Sequence, residues 1–203
     1  MPRLAEARKP AEPASERQVE RWDRILGAAA ELGADTGFEQ VQMQEIARAS
    51  DVALGTLYRY FPSKVQLFAT VFAARVARFV EEEWPVEGGD AVEVVGERLV
   101  ALNRRLMEQP VLCGSMVRAT ATNYADRSEP QVPVPDSHLY DAVLRTLGED
   151  DPCQERVTAV RMLVYSWWGV LFSELSGRTT PSEARYEIGL AARRLLARDA
   201  PRG

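Results

Sequence analysis

The sequence of 203 residues predicts an all-α protein. Apolar residues recur every three or four positions in one segment after another, which is the spacing of a helix face. Proline and glycine clusters separate these segments, and no alternating run of apolar and polar residues is long enough to require a strand. Five segments also open with a capping box, a Ser, Thr or Asp followed three residues later by Glu or Gln. These pairs are Ser15/Gln18, Ser63/Gln66, Asp90/Glu93, Asp151/Gln154 and Thr180/Glu183.

Together these signals predict nine helices. Steps of three and four residues run from Trp22 to Leu32 in the first helix and from Val65 to Phe79 in the fourth. Proline occupies the first helical position of the last two helices, where its missing N–H costs nothing. The predicted ranges are 16–36, 43–50, 54–60, 63–84, 90–108, 111–125, 137–147, 152–176 and 181–198.

The composition is that of a folded soluble protein, with 46% apolar and 27% charged residues. The length fits one large domain or two small ones. The 25 basic and 30 acidic residues leave a net charge of −5, so any surface that binds nucleic acid has to be a local patch. The first fifteen residues lack the apolar core of a signal peptide, and no apolar run is long enough to span a membrane. We therefore expect a cytoplasmic protein.

Few residues suit catalysis or metal binding. Cys113 and Cys153 are the two cysteines, and without a CxxC pair they exclude a zinc finger and a disulfide framework. His138, the one histidine, follows a proline-rich stretch and is expected on the surface. Gly114-Ser115 lacks the strand–turn–helix context of a nucleophile elbow. We therefore predict no catalytic residue, no metal site, no cofactor and no enzymatic activity.

The segment from Gly37 to Lys64 carries the clearest functional signal. Two short predicted helices, 43–50 and 54–60, are joined by a three-residue turn and follow a longer helix, which is the helix-turn-helix arrangement. Ile46, Leu57 and Phe61 are expected in its core. The second short helix presents a hydroxyl, two phenol rings and a guanidinium, which suit phosphate and base contacts in a major groove. These side chains belong to Thr56, Tyr58, Arg59 and Tyr60, while Gly55 permits a close backbone approach and Lys64 lies in a helix first turn that favours anions.

This segment resembles the DNA-binding domain of the TetR family of bacterial repressors. Three positions depart from the family pattern: Gln42 and Ala53 replace helix caps, and Asp51 replaces the turn glycine, although Asp tolerates a left-handed turn. The matching residues are Gly37, Phe38, Ile46, Ala47, Val52, Gly55, Thr56, Leu57, Tyr58, Tyr60, Phe61, Ser63 and Lys64. The resemblance implies DNA contacts from Gln42, Leu54, Gly55, Thr56, Tyr58, Arg59, Tyr60 and Lys64.

The resemblance also implies a disordered arm at 1–15, a helix-turn-helix domain at 16–63, and a ligand-binding and dimerisation domain at 64–203. A dimer suits a helix-turn-helix reader, because two half-sites about 34–36 Å apart provide affinity that one copy lacks. The eighth predicted helix is apolar on more than one face and has to bury both. An internal core helix of a monomer remains an alternative. The expected dimer contacts are Val160, Val164, Trp167, Leu171, Leu175, Ile188, Ala192 and Leu195.

A pocket for a hydrophobic effector is implied by the family. Within the family the sequence is similar to actinobacterial repressors of steroid catabolism, which implies a steroid-derived or acyl-CoA effector. Methionine adapts to irregular ligand shapes, although any apolar helix stripe has the same composition and fits a core equally well. The expected lining is Asn103, Met107, Leu112, Met116, Thr120, Asn123, Tyr124, Trp168 and Phe172.

The sequence therefore predicts a ligand-responsive repressor that binds a palindromic operator as a homodimer and is released by a bulky hydrophobic effector. Two alternatives remain open at this point. One is an all-α carrier of lipophilic small molecules, and the other is a TetR-like adaptor that binds protein instead of DNA.

Overall fold

A computed structural model describes residues 14–84, 88–125 and 135–197, with the backbone alone for 135–137. These ranges form nine helices and no strand, which confirms the predicted fold class. Of the predicted arm, only Ala14 and Ser15 lie within the described residues. None of the described helices combines the length and the apolar character that a membrane span requires. The helices are α1 Glu16–Thr36, α2 Met43–Ala49, α3 Leu54–Tyr60, α4 Lys64–Glu82, α5 Ala91–Met107, α6 Pro110–Ala125, α7 Pro135–Thr146, α8 Gln154–Leu175 and α9 Pro181–Leu196.

Several helices begin at the predicted caps. Before α5, the Asp90 carboxylate accepts from two backbone N–H groups of the first turn, each at 3.0 Å. Before α9, Thr180 and Glu183 form the reciprocal box, and the bonds from the Thr180 backbone N–H and hydroxyl lower the pKa of the Glu183 carboxyl. Ser63 Oγ accepts from the Gln66 N–H at 3.2 Å before α4. These bonds satisfy N–H groups that a helix start leaves without partners, which explains why the sequence located these helix starts.

The cap predicted at Asp151 is wrong. The backbone at Cys153 is extended, so α8 begins at Gln154 instead of 152. The Ser15 side chain makes no capping bond either, although α1 begins at the predicted residue. There the Gln18 side chain accepts from the Ala14 N–H at 2.8 Å.

The chain divides into two compact units. Among the described residues, the first contains 14–74 and 109–125, and the second contains 75–84, 88–108 and 135–197. The first unit thus joins α6 and the beginning of α4 to the helix-turn-helix, across the predicted boundary after residue 63. In this unit α6 packs along α1. Gly33 makes room for that packing, since a Cβ there would lie 3.1 Å from Leu112 of α6 and closer still to the Phe68 ring.

In the first unit, the core fixes α3 against α1. Ile46, Leu57 and Phe61 are buried as expected, at 0%, 0% and 1% exposure. The Trp22 ring of α1 lies 4.4 Å from the Phe61 ring, measured between centroids. Aromatic contacts of this kind add to the free energy gained by burying apolar surface. The α3 helix is therefore held by its inner side, and its outer side stays free for a partner.

In the second unit, α5 and α8 both pack along α9. Small residues allow α5 and α9 to approach closely, since a Cβ on Gly96 would lie 3.4 Å from the Ala192 Cβ. The end of α4 is tied to α7 by a hydrogen bond from Trp84 Nε1 to Thr146 Oγ1 at 2.9 Å. The packing of α5 and α8 against α9 buries one side of α8 and α9 and leaves another side exposed.

Candidate DNA-binding and effector sites

The turn between α2 and α3 adopts the left-handed conformation that the sequence allowed. Asp51 has a φ of 52°, the one positive φ among the described residues other than glycine. Aspartate is one of the few side chains that tolerate this conformation. At the other end of α2, the Glu45 carboxylate accepts from the Gln42 backbone N–H at 3.1 Å. The departures at 42 and 51 therefore leave the helix-turn-helix geometry intact.

The outer side of α3 is polar and accessible. Tyr58 is 45% exposed, and Gly55 and Arg59 are exposed as well. Leu54 and Thr56 are half-buried on the same short helix, and Gln42 is exposed before α2. Because the inner side of α3 is anchored in the core, the phenol and guanidinium groups are presented from a rigid element. This surface can contact phosphates and base edges.

Tyr60 does not belong to that surface. Its side chain is 1% exposed, and its ring packs edge-on against Trp22 with 5.7 Å between centroids. Residues three apart on a helix share a face, so Tyr60 points inward with Leu57 while Tyr58 points outward. The DNA contact expected of Tyr60 is thus corrected to a core role. The Arg59 guanidinium lies over the outside of the same ring, 5.3 Å from its centroid.

Lys64 is an internal anchor. Its Nζ donates to the carbonyl oxygens of Phe38 at 2.6 Å, Glu39 at 3.2 Å and Val41 at 3.0 Å. It also lies 4.6 Å from the centroid of the Phe38 ring. An ammonium has three N–H donors, and these three contacts account for all of them. No donor is left for a DNA phosphate in this arrangement, and the expected phosphate contact is corrected to an anchor of the loop before α2.

We expect Lys64→Met to lower the free energy of unfolding by about 2–3 kcal/mol, because three carbonyls lose a charged donor. Urea denaturation followed by tryptophan fluorescence measures this loss. Arg48→Met is the matched control, since Arg48 is exposed on α2 and forms no ion pair with the described residues. It should change stability by no more than about 0.5 kcal/mol. Unchanged stability of Lys64→Met with a weaker salt dependence of DNA binding would restore the phosphate role.

The same loop is also held from α6. Arg118 forms an ion pair with Glu39, and its guanidinium lies 5.5 Å from the centroid of the Phe38 ring. Both partners of the ion pair are more than half exposed, so the pair itself contributes little to stability. Its position matters more than its strength. The loop leads directly into α2. It therefore connects α6 to the helix-turn-helix.

The residues expected at the dimer interface are mostly core residues of the protomer. Six of them are at most 1% exposed, and Leu175 and Leu195 are half-buried. A side chain buried within one protomer has no surface left for a partner, so the contact role expected of these six is corrected. The helices that carry them, α8 and α9, pack against each other and also contact α5 and α7. The six are Val160, Val164, Trp167, Leu171, Ile188 and Ala192.

Both α8 and α9 also present large apolar side chains to solvent. Met162, Tyr165 and Phe172 on α8 are 50%, 58% and 57% exposed, and Tyr186 on α9 is 64% exposed. We call these four side chains the outer apolar face. Met162, Tyr165 and Phe172 follow helical steps along one side of α8. Grouped exposed apolar residues mark interaction surfaces more often than isolated ones do. The sequence analysis missed Met162, Tyr165 and Tyr186 and assigned Phe172 to the pocket, because α8 is apolar on more than one face.

The nine residues expected to line a pocket are divided between the two units. In the first unit, Leu112, Met116, Thr120 and Asn123 of α6 are buried, whereas Tyr124 is exposed. The Thr120 hydroxyl donates to the Met116 carbonyl of its own helix at 2.9 Å. In the second unit, Trp168 is half-buried on α8 and Phe172 belongs to the outer apolar face.

The two remaining residues, Asn103 and Met107, line a groove of about 990 Å³ between α5, the end of α8 and α9. The size lies at the upper end of the range for small-molecule sites. Asn103 Nδ2 donates to Glu174 Oε2 at 2.6 Å inside the groove. Sequence reasoning missed Glu174 and the whole α9 side, because the periodicity of one helix does not tell which other helix faces it. The α9 residues that line the groove are Pro181, Ser182, Arg185, Ile188, Gly189 and Arg193.

Comparison with known proteins gives consistent matches. Residues 25–71 match the model of the bacterial regulatory proteins of the tetR family, and residues 88–195 match the tetracyclin repressor-like C-terminal domain. The chain is 31% identical over 185 residues to the HTH-type transcriptional repressor KstR of Mycolicibacterium smegmatis, covering 90% of each protein. It is 31% identical to KstR of Mycobacterium tuberculosis, covering 90% of this chain and 83% of that one. A crystal structure of a TetR transcriptional regulator from Rhodococcus sp. RHA1 has a TM-score of 0.78 and 37% identity, covering 90% of this chain and 98% of that one.

Proposed function

We propose that this chain, which belongs to the TetR family of bacterial transcriptional regulators, represses transcription by binding a palindromic operator as a homodimer and leaves it when a hydrophobic effector binds. Members of this family are regulators and not enzymes, in agreement with the sequence. The observation that carries the proposal is the exposed polar side of α3, presented by a helix whose inner side is locked into the core.

The proposed DNA contacts are the accessible members of the predicted set. Tyr58 and Arg59 extend from the exposed side of α3, and Gly55 allows the backbone to approach the duplex closely. Thr56 and Leu54 are half-buried beside them, and Gln42 is exposed before α2. Hydroxyl and guanidinium groups suit phosphates and base edges, and an apolar side chain suits the thymine methyl group.

The proposed dimer contact is the outer apolar face. A twofold axis brings the same patch of both protomers together, so one exposed apolar patch serves both copies. Met162, Tyr165, Phe172 and Tyr186 are the large side chains that such a contact would remove from water. Aromatic residues and methionine are enriched at interfaces of this kind. A dimer also supplies the second α3 that a palindromic operator requires.

The proposed effector is a bulky hydrophobic molecule, either steroid-derived or an acyl-CoA. The 31% identity to KstR over 90% of the chain supports the class that the sequence resemblance implied. We place the effector at the groove that Asn103 and Met107 line, because its size fits a large ligand. The effector has to bind the DNA-free state more tightly than the DNA-bound state, and this difference typically amounts to about 1–3 kcal/mol.

Fluorescence anisotropy with DNA from upstream of the chain's own gene tests the proposal. We expect tight binding that weakens steeply as salt rises, since phosphate contacts release counterions. A scrambled duplex of equal length should bind less tightly. Adding a steroid-derived CoA thioester should lower the affinity for the upstream DNA by about fivefold or more. Equal binding of both duplexes would favour an adaptor or a carrier, and a thioester without effect would exclude that effector class.

A further inference from the structure

The groove of the second unit contains a buried acceptor without a donor. Asn103 is 4% exposed, and its Nδ2 donates to Glu174 Oε2 at 2.6 Å. A carboxylate accepts hydrogen bonds only, so this contact determines which end of the amide is nitrogen. Asn103 Oδ1 then lies at the other end, and it has no hydrogen-bond partner among the described residues. A buried acceptor without a donor destabilises the ligand-free protein. A ligand that donates a hydrogen bond to it removes this cost.

The walls of the groove are apolar and its rim carries charges of both signs. Val92, Val100 and Ile188 provide apolar surface next to the half-buried Met107. The mixed rim selects neither a cation nor an anion by itself. Asn103 therefore determines which polar group of a ligand the groove prefers. The charged lining residues are Arg104, Arg185 and Arg193 with Glu93, Glu97, Glu108 and Glu174.

We propose that this groove binds an amphipathic ligand with an apolar body and one terminal hydroxyl or amine, whose O–H or N–H donates to Asn103 Oδ1. The Glu174 carboxylate beside it also only accepts, so a polar end without a donor, such as an ether, leaves Oδ1 unpaired. A donor satisfies it. This inference rests on the proposed function in one respect, since it names the chemistry of the effector that we place in this groove.

We assign the entry of the donor to Met107. It lies four residues after Asn103 on α5, hence one turn further along the same side, and it is half-buried at the groove. Its flexible, unbranched side chain can shift to open Asn103 Oδ1 to a ligand without moving a helix. The apolar body of the ligand then lies along the α5 and α9 walls.

The groove can be filled without disturbing its walls. A Cβ added at Gly189 of α9 would lie 3.3 Å from Arg193 Nη1, the far end of a flexible side chain, and no other side chain lies within 4 Å. Gly189→Leu should therefore displace the Arg193 guanidinium and occupy the groove while the protein stays folded. Gly27→Leu is the matched control, because Gly27 lies on α1 with no neighbour within 4 Å.

Titration calorimetry of the full chain without DNA tests this proposal with two isomers, decan-1-ol and 1-methoxynonane. The two have the same molecular formula, and only the alcohol has an O–H that can donate a hydrogen bond. We expect the alcohol to bind at least about fivefold more tightly than the ether, the effect of one hydrogen bond. Asn103→Leu should abolish this preference, and Gly189→Leu should weaken both ligands by about tenfold or more, whereas Gly27→Leu should bind like the parent.

Equal affinities in the parent, no measurable binding of the alcohol, or a preference that survives Asn103→Leu would overturn the proposal. Circular dichroism establishes that each variant is folded. Should Asn103→Leu unfold, Gly189→Leu still decides the test. If the Gly189→Leu protein binds both ligands as tightly as the parent, the ligand binds elsewhere and the proposal is overturned. The titration contains no DNA, so its outcome is separate from operator binding. A chain that binds its operator yet shows no preference for the alcohol keeps the repressor function and loses this inference.

Discussion

Tyr58→Ala should strongly weaken sequence-specific operator binding while the protein stays folded and keeps the proposed dimer. The side chain is 45% exposed on α3, so its removal leaves no cavity in the core. Each lost base contact costs about 1–3 kcal/mol, and a symmetric dimer loses it twice. We therefore expect the affinity for the operator to fall by about 30-fold or more. Fluorescence anisotropy with the operator and with a scrambled duplex measures this change.

Tyr124→Ala is the matched control for that experiment. Tyr124 is another tyrosine of similar exposure, 42%, and it lies on α6, outside the helix-turn-helix. Its removal should leave operator affinity within about threefold of the parent. Binding to the scrambled duplex should change little in either variant, because phosphate contacts dominate it. A Tyr58→Ala protein that binds the operator as well as the parent would show that α3 reads DNA through other residues.

Phe172→Glu should separate the proposed dimer into folded protomers. Phe172 is 57% exposed on the outer apolar face, so the protomer accepts a carboxylate there in contact with water. In the dimer that we propose, the carboxylate would be buried against apolar surface twice, once for each copy. We expect the dimer dissociation constant to rise by about 100-fold or more, measured by sedimentation equilibrium. Operator binding should weaken with it, because one protomer reads one half-site.

Val111→Glu is the control, since Val111 is a similarly exposed apolar residue, at 51%, on α6. It should leave the dimer intact. Trp167→Ala distinguishes the outer apolar face from the buried side of α8, because Trp167 is 1% exposed and its loss should destabilise the protomer by about 3–5 kcal/mol. A Phe172→Glu protein that remains dimeric would move the interface away from this face.

Much of the fold could be predicted from local signals. The predicted helix of 54–60 has the observed bounds of α3, and that of 16–36 has those of α1. Helix bounds depend on apolar periodicity and on caps formed by residues three apart, and both are visible in a short window of sequence. The outward position of Tyr58 also follows from such a window, since Leu57 marks the inner side of the same short helix.

The errors at the sites have a common physical cause. Whether Tyr60 faces solvent depends on Trp22, and whether Lys64 has a free donor depends on carbonyls of the loop before α2. These partners are far away in sequence, so no local pattern reveals them. Both residues match the family motif, and a matching motif does not distinguish a residue that touches DNA from one that supports it.

By itself, the sequence determined that the chain is helical, where most of its helices begin and end, and that 43–60 forms a helix-turn-helix. The tertiary structure alone decided which side of α8 is core and which is exposed, and that Asn103 meets Glu174 in a groove beside α9. A helix forms through bonds between residues four apart. A surface or a groove forms only when separate helices pack, and side chains distant in the chain then determine what is buried.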